Sequence, residues 1–452
     1  MILLSVTAYV LLQLGIAVWA ARGTDDDADY LVAGRTLGPW AIGLSLFATW
    51  FAAETVLATT AEVAANGLAG ARADPFAYAA GLAVLGVTLA GPLRRTGVVT
   101  IADLLGRRYG PRCEAIGTGL VMLSSVVWAG AQLFAFSVVF SGLTGLGFAV
   151  SLGFVTALVL IYTLAGGLKG DVVTDAVQGT ILAGGVLLLG GAVWAQAGGA
   201  AALAGLPPER LTLRPPGEPL LSVADLWVVP VLGTLVSQEA VSRVLAARDV
   251  RAAQAGALLG AGLYLAVGGV PVLIGLLAPS LGLVLPTGDG LLPALASDLL
   301  PTWAYVVLVG ALLSAILSSV DSALLATAAV ATRNVVLRRA PDLSSAARLR
   351  VARLATLGAG AAAVLVAVSG ESLRGLVLEA SAIAGLLLVP VVAAVATRRA
   401  GARAALASLT VSSASYAVLG WGVGVPGAFL VATAAGLLAY AAAARRPGDR
   451  KA

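Results

Sequence analysis

Long apolar runs separated by short polar breaks cover almost the whole chain. Thirteen runs reach the minimum of about 17 residues that carries a helix across a hydrocarbon core: 2–21, 38–66, 73–94, 114–145, 149–166, 171–197, 221–247, 252–278, 301–332, 348–369, 373–396, 401–419 and 424–444. They are rich in Ala, Leu, Val and Gly and lack the two-residue alternation of barrel strands. Lipid offers the backbone no water, so such a run must close its own hydrogen bonds as a helix. The pattern predicts an all-α integral membrane protein of about 13 transmembrane helices. Two basic pieces between runs, "TIADLLGRRYG" and "RRAPDLSSAARLRVAR", read as interfacial. The opening run, "MILLSVTAYVLLQLGIAVWA", has neither a basic leader nor a small-residue cleavage site and reads as a retained span.

Composition agrees: of 452 residues, 59% are hydrophobic and 11% charged, against about 25% charged in soluble proteins. Charge placement orients the runs. With the N-terminus outside and the C-terminus in the cytoplasm, twenty-four of the twenty-eight Lys and Arg fall in inner loops; only Arg72, Arg210, Arg214 and Arg374 fall outside. That is the positive-inside bias of a multi-pass protein of the plasma (inner) membrane. The net charge of +5 is thus loop bias and implies no nucleic-acid partner. The chain has one Cys and no His, so it has no internal disulfide, imidazole relay or His-held zinc or haem. No nucleophile–base set or selectivity ring is evident, so the chain reads as neither enzyme nor channel.

The informative residues are polar ones inside apolar runs, because ionisable groups at membrane depth mark ion and solute paths. In "GALLSAILSSVDSALLATAAV", Ala315, Ser318, Ser319 and Ser322 recur at i, i+3, i+4 and i+7, one helical stripe, with Asp321 beside it. A lone serine in a membrane helix commonly bonds back to its own helix; four on one span, counting Ser314, with a carboxylate suit a small hard cation that takes oxygen ligands. In "LSLFATWFAAETVLATTAE" a polar and aromatic run interrupts a span, as in a discontinuous helix whose freed carbonyls can bind an ion. In "GGLKGDVVTDAVQGTIL", Asp171, Thr174, Asp175 and Gln178 share a stripe, with Asp171 placed to cap the helix. Glu54, Asp175 and Asp321, with Glu62, Glu239 and Glu379, are the deep acidic candidates. No deep Lys or Arg is expected beside them, which leaves a bound cation or proton to compensate.

The pieces "YLVAGRTLGPW", "ATWFAAETVLATTAE", "YTLAGGLKGDVVTDAVQ", "SQEAVSRVLAARD" and "AILSSVDSALLATAAVATRN" together resemble the sodium:solute symporter family, in its motif order and over nearly the whole chain. The resemblance implies the LeuT-type fold of two inverted five-helix repeats with discontinuous helices. Residues 1–37 would be a leading helix and loop, 38–197 and 221–396 the two repeats, and 401–452 two trailing helices and a cytoplasmic tail, all in a single transporter domain. It implies a main sodium site of Ala48, Phe51 and Ala315 carbonyls with Ser318 and Ser319 hydroxyls. It also implies a second sodium near Asp175, Ser318, Ser322 and Asp321. Na⁺ would be the coupling ion, with no other cofactor.

Solute contacts implied between the broken spans are Trp50, Glu54, Trp128, Gln132, Ser237, Gln238 and Glu239. Trp50 and Trp128 stand where choline transporters present aromatic walls, and Trp faces attract quaternary ammonium groups. Ser237 replaces the third aromatic of that cage, which argues against choline itself. The expected function is sodium-coupled import of a small organic solute, cationic, zwitterionic or neutral, by alternating access. The rival is a proton-coupled transporter that titrates Asp175 or Asp321.

Overall fold

The computed structural model describes residues 35–444 except 285, 371 and 398–400, together with Gly15; the side chains of 162 and 165–176 are outside the description. The expected leading span 2–21 therefore lies outside the described residues, apart from Gly15. The described residues are mainly helical, and among them one parallel bridge joins Leu37 to Ala247. Among the described residues, seven helices are long and apolar enough to cross a membrane, or nine with each of two bent pairs taken as one span.

Length explains why this differs from the thirteen runs. Glu54–Thr96 counts once, yet it holds 43 residues; a straight helix of that length is about 65 Å long, twice the ~30 Å core. The chain breaks it where Gly67 takes φ 64° and Asp74 takes φ −132° and ψ 124°. Phe148–Ala197 is helical over 50 residues, passing through 167–170, where the sequence suggests a turn. Within it Val177–Ala197 is long and apolar enough to cross a membrane, and Phe148–Ile161 is a shorter apolar piece. The piece around "TIADLLGRRYG" forms a short helix, Ile101–Tyr109, capped by Thr100, whose hydroxyl accepts from the Asp103 amide.

Two breaks define the centre. The Pro39–Trp50 helix ends at Phe51, and helical structure resumes at Glu54. The Leu220–Val236 and Gln238–Leu245 helices meet at Ser237, in extended conformation, with a 41° bend. The Thr302–Arg339 span packs beside them and is the best enclosed, with 78% of its apolar window buried, against 22% for Ala402–Val423. An apolar stripe of a peripheral helix can face lipid. The serines of the central helix are buried inside the bundle.

Candidate functional site

Ala315, Ser318, Ser319, Asp321 and Ser322 are all buried on the central Thr302–Val330 helix. Across from them lies the first break. The Ser319 hydroxyl donates to the Thr49 carbonyl at 3.3 Å, one residue from Ala48 and two from Phe51. A Cβ on Gly179 would lie 2.8 Å from the Ala48 Cβ, so the helix carrying Gly179 closes directly on this segment. The structure thus brings together helix-end carbonyls, serine hydroxyls and a tight small-residue contact, as a site for a small oxygen-seeking cation needs. Asp175, expected at the second ion, lies outside the described side chains.

One expectation is corrected. Arg243, counted among the inner-loop basic residues, is only 1% exposed. Its Nη2 donates to the Ser322 hydroxyl at 2.7 Å, its Nε to Ser45 Oγ at 3.2 Å and its Nη1 to the Glu239 carbonyl at 3.2 Å. The acidic layer therefore has a buried guanidinium, and any ion at Ser322 shares that oxygen with it. Glu62 and Glu379 are also partnered. Glu62 pairs with Arg374, and Glu379 accepts from Tyr416 and the Trp421 indole at the trailing helices.

Next to the breaks is a small cavity of about 20 Å³, lined by Trp50, Trp128, Tyr78, Ser237, Glu239 and Ser381 among others. The two indoles lie 6.0 Å apart, tilted by 46°, and neither indole N–H has a hydrogen-bond partner. Glu239 accepts from Ser125 at 2.6 Å, which leaves its carboxylate at the cavity wall. The helices meet closely here, since a Cβ on Gly233 would sit 2.4 Å from the Ser381 carbonyl oxygen.

The other expected contacts divide. Glu54 and Gln132 form a buried pair, with Gln132 Nε2 donating to Glu54 Oε2 at 2.8 Å; Glu54 lines an adjoining cavity with Asp74, Glu62 and Arg374. Gln238 is used structurally, its Oε1 accepting the Ile101 amide at 3.0 Å. Sequence reasoning missed Asp74, Tyr78, Thr234 and Ser381. Asp74 stands at the edge of a run before Pro75, where it looks like a loop residue. The other three look like ordinary span residues.

The profile of the sodium:solute symporter family matches residues 30–412. The chain is 26% identical to high-affinity choline transporter 1 of Drosophila melanogaster over 85% of its own length and 65% of the relative's. It is 28% identical to the sodium/pantothenate symporter of Escherichia coli (strain K12), covering 92% of this chain and 90% of that one. Thus the chain spans just under two thirds of the Drosophila protein and most of the bacterial one. It superimposes on the substrate-bound outward-open structure of a Na⁺-coupled sialic acid symporter with a TM-score of 0.82, at 19% identity, over 98% of this chain and 97% of that one. That likeness establishes a LeuT-type fold.

Proposed function

We propose that this chain, which belongs to the sodium:solute symporter family, couples Na⁺ entry to the import of a small organic cation. It is a Na⁺-coupled transporter and not an enzyme, as its family is. The observation that carries the ion site is the bond from Ser319 to the Thr49 carbonyl, which holds the serine pair against the first break. In this reading Ala48, Phe51 and Ala315 carbonyls with Ser318 and Ser319 hydroxyls hold the main Na⁺. A second Na⁺ near Asp175, Ser318, Ser322 and Asp321 is tuned by Arg243.

The solute class follows from the cavity wall. Glu239 supplies negative charge, no Lys or Arg lines the cavity, and Arg243 bonds Glu239 only through its backbone oxygen. Trp50 and Trp128 offer ring faces to an ammonium group, and their free N–H groups suit an acceptor such as a hydroxyl on the same solute. The choline relative's name agrees with this class. Residues 38–197 and 221–396 are taken as inverted repeats that rock about the two breaks, in a plasma-membrane protein with its N-terminus outside and its C-terminus inside. Uptake of a labelled panel of small organic amines into proteoliposomes, with competitors, tests the class: methylated ammonium compounds should compete and neutral sugars should not. Competition by sugars alone would contradict it.

A further inference from the structure

Beside the aromatic cavity, behind Tyr78, lies a second cavity lined by Glu54, Asp74, Glu62 and Arg374 among others. Arg374, the one basic side chain in that lining, is paired with Glu62. At its wall is a compact group of oxygens from three chain segments. Tyr264 OH donates to Asp74 Oδ1 at 2.8 Å. Thr55 Oγ1 lies 3.0 Å from Asp74 Oδ2, 3.0 Å from the Trp50 carbonyl and 2.7 Å from Tyr264 OH. Thr59 Oγ1 adds a 3.3 Å contact to the Asp74 carbonyl.

With Asp74 ionised, the hydrogens do not suffice for these oxygens. Each hydroxyl carries one hydrogen. Thr55 and Tyr264 therefore supply two hydrogens, while both Asp74 oxygens, the Trp50 carbonyl and the hydroxyls themselves are within reach as acceptors. At least one acceptor remains short. Glu54 is 3% exposed, lines the same cavity, and its Oε1 has no hydrogen-bond partner. Buried acceptors without donors cost free energy, and an uncompensated carboxylate costs far more. Trp50 is the last residue before the first break, where carbonyls are released from the helical ladder.

We propose that Asp74, Thr55, Tyr264 and the Trp50 carbonyl form a further Na⁺ site, with Glu54 adding charge from the cavity. It is separate from the serine-stripe ion, and it rests on the symport reading only in naming Na⁺ as the ion. A hard monovalent cation takes oxygen ligands without needing hydrogens from them, which removes the shortage. The site borders the solute cavity through Trp50 and Tyr78, so its occupancy would be felt by the solute.

The test is equilibrium binding of ²²Na⁺ to the purified full-length chain, counted per protein. Asp74→Asn should bind one Na⁺ fewer than wild type while keeping the ion that Ser318→Ala with Ser319→Ala removes; the combined variant should lose both. Thr55→Val and Tyr264→Phe, which each delete one hydroxyl, should weaken this one ion by about tenfold and leave the other unaffected. Should Asp74→Asn fail to fold, these two carry the test. An unchanged Na⁺ count and affinity in all three, in protein that still binds the serine-site ion, would overturn the proposal. If the serine double variant keeps every ion while Asp74→Asn loses one, the main-site reading fails and this one stands.

Discussion

Removing the Ser318 and Ser319 hydroxyls together tests the ion site most sharply. The two serines supply two of the five oxygens assigned to the main Na⁺, the others being backbone carbonyls that substitution leaves in place. A polar contact to a charged group contributes about 1.5–3 kcal/mol, so two come to about 3–6 kcal/mol. Binding Na⁺ must also displace the Ser319 bond to Thr49, but at 3.3 Å that bond is long and offsets only a little. The lower end, about 3 kcal/mol, corresponds to about a 100-fold weaker ion, since about 1.4 kcal/mol is a factor of ten. Both serines are buried, and Ser→Ala removes one atom at each, so insertion and folding should survive. The assay is uptake into proteoliposomes across a Na⁺ titration, read as the Na⁺ concentration for half-maximal rate. A rise of about two orders of magnitude is expected. A double variant whose Na⁺ requirement matches wild type would return these serines to packing and refute the site.

Three further outcomes follow from the cavity and its walls. Glu239→Gln keeps the Ser125 bond but removes the charge, so affinity for a cationic solute should fall tenfold or more, about what one nearby charge contributes at low effective dielectric; competition binding with choline measures it, and unchanged affinity contradicts the cationic class. Gln238→Ala leaves the Ile101 amide without its acceptor, which should lower thermal stability by about 1–3 kcal/mol while solute affinity stays as in wild type; a selective loss of solute binding would restore Gln238 to the cavity. Gly233→Val drives a side chain into the Ser381 carbonyl, 2.4 Å from the ideal Cβ, so solute uptake should be lost while Na⁺ still binds at the serines, as equilibrium ²²Na⁺ binding reads. Normal uptake by that variant would show that the two helices need not close there.

The legible parts of the molecule were those where periodicity and chemistry coincide on one element. The serine stripe from Ala315 to Ser322 could be read because i, i+3, i+4 spacing puts oxygens on one face, and "ATWFAAET" because polar and aromatic residues interrupt an apolar run. A stripe does not say what faces it. Arg243 was counted with the inner-loop arginines Arg248 and Arg251, but only the fold reveals Ser45 and Ser322, 198 and 79 positions away, as its partners. Asp74 was invisible for the same reason, since Tyr264 reaches it from 190 residues along the chain. Gln238 was misjudged in the opposite sense: a polar residue at a break can cap a neighbouring helix as readily as it can bind a solute. Long-range pairing decides such cases, and a single sequence carries little trace of it.

The central claim, that Na⁺ drives the import of an organic cation, is tested most directly by gradient-resolved uptake. Proteoliposomes holding the wild-type chain are offered a pooled set of small amines, amino acids and sugars under an inward Na⁺ gradient, an inward proton gradient, or neither, and the lumen is analysed by mass spectrometry. The account predicts that a cationic amine accumulates above its outside concentration with the Na⁺ gradient alone. Accumulation driven by the proton gradient with Na⁺ absent would contradict it.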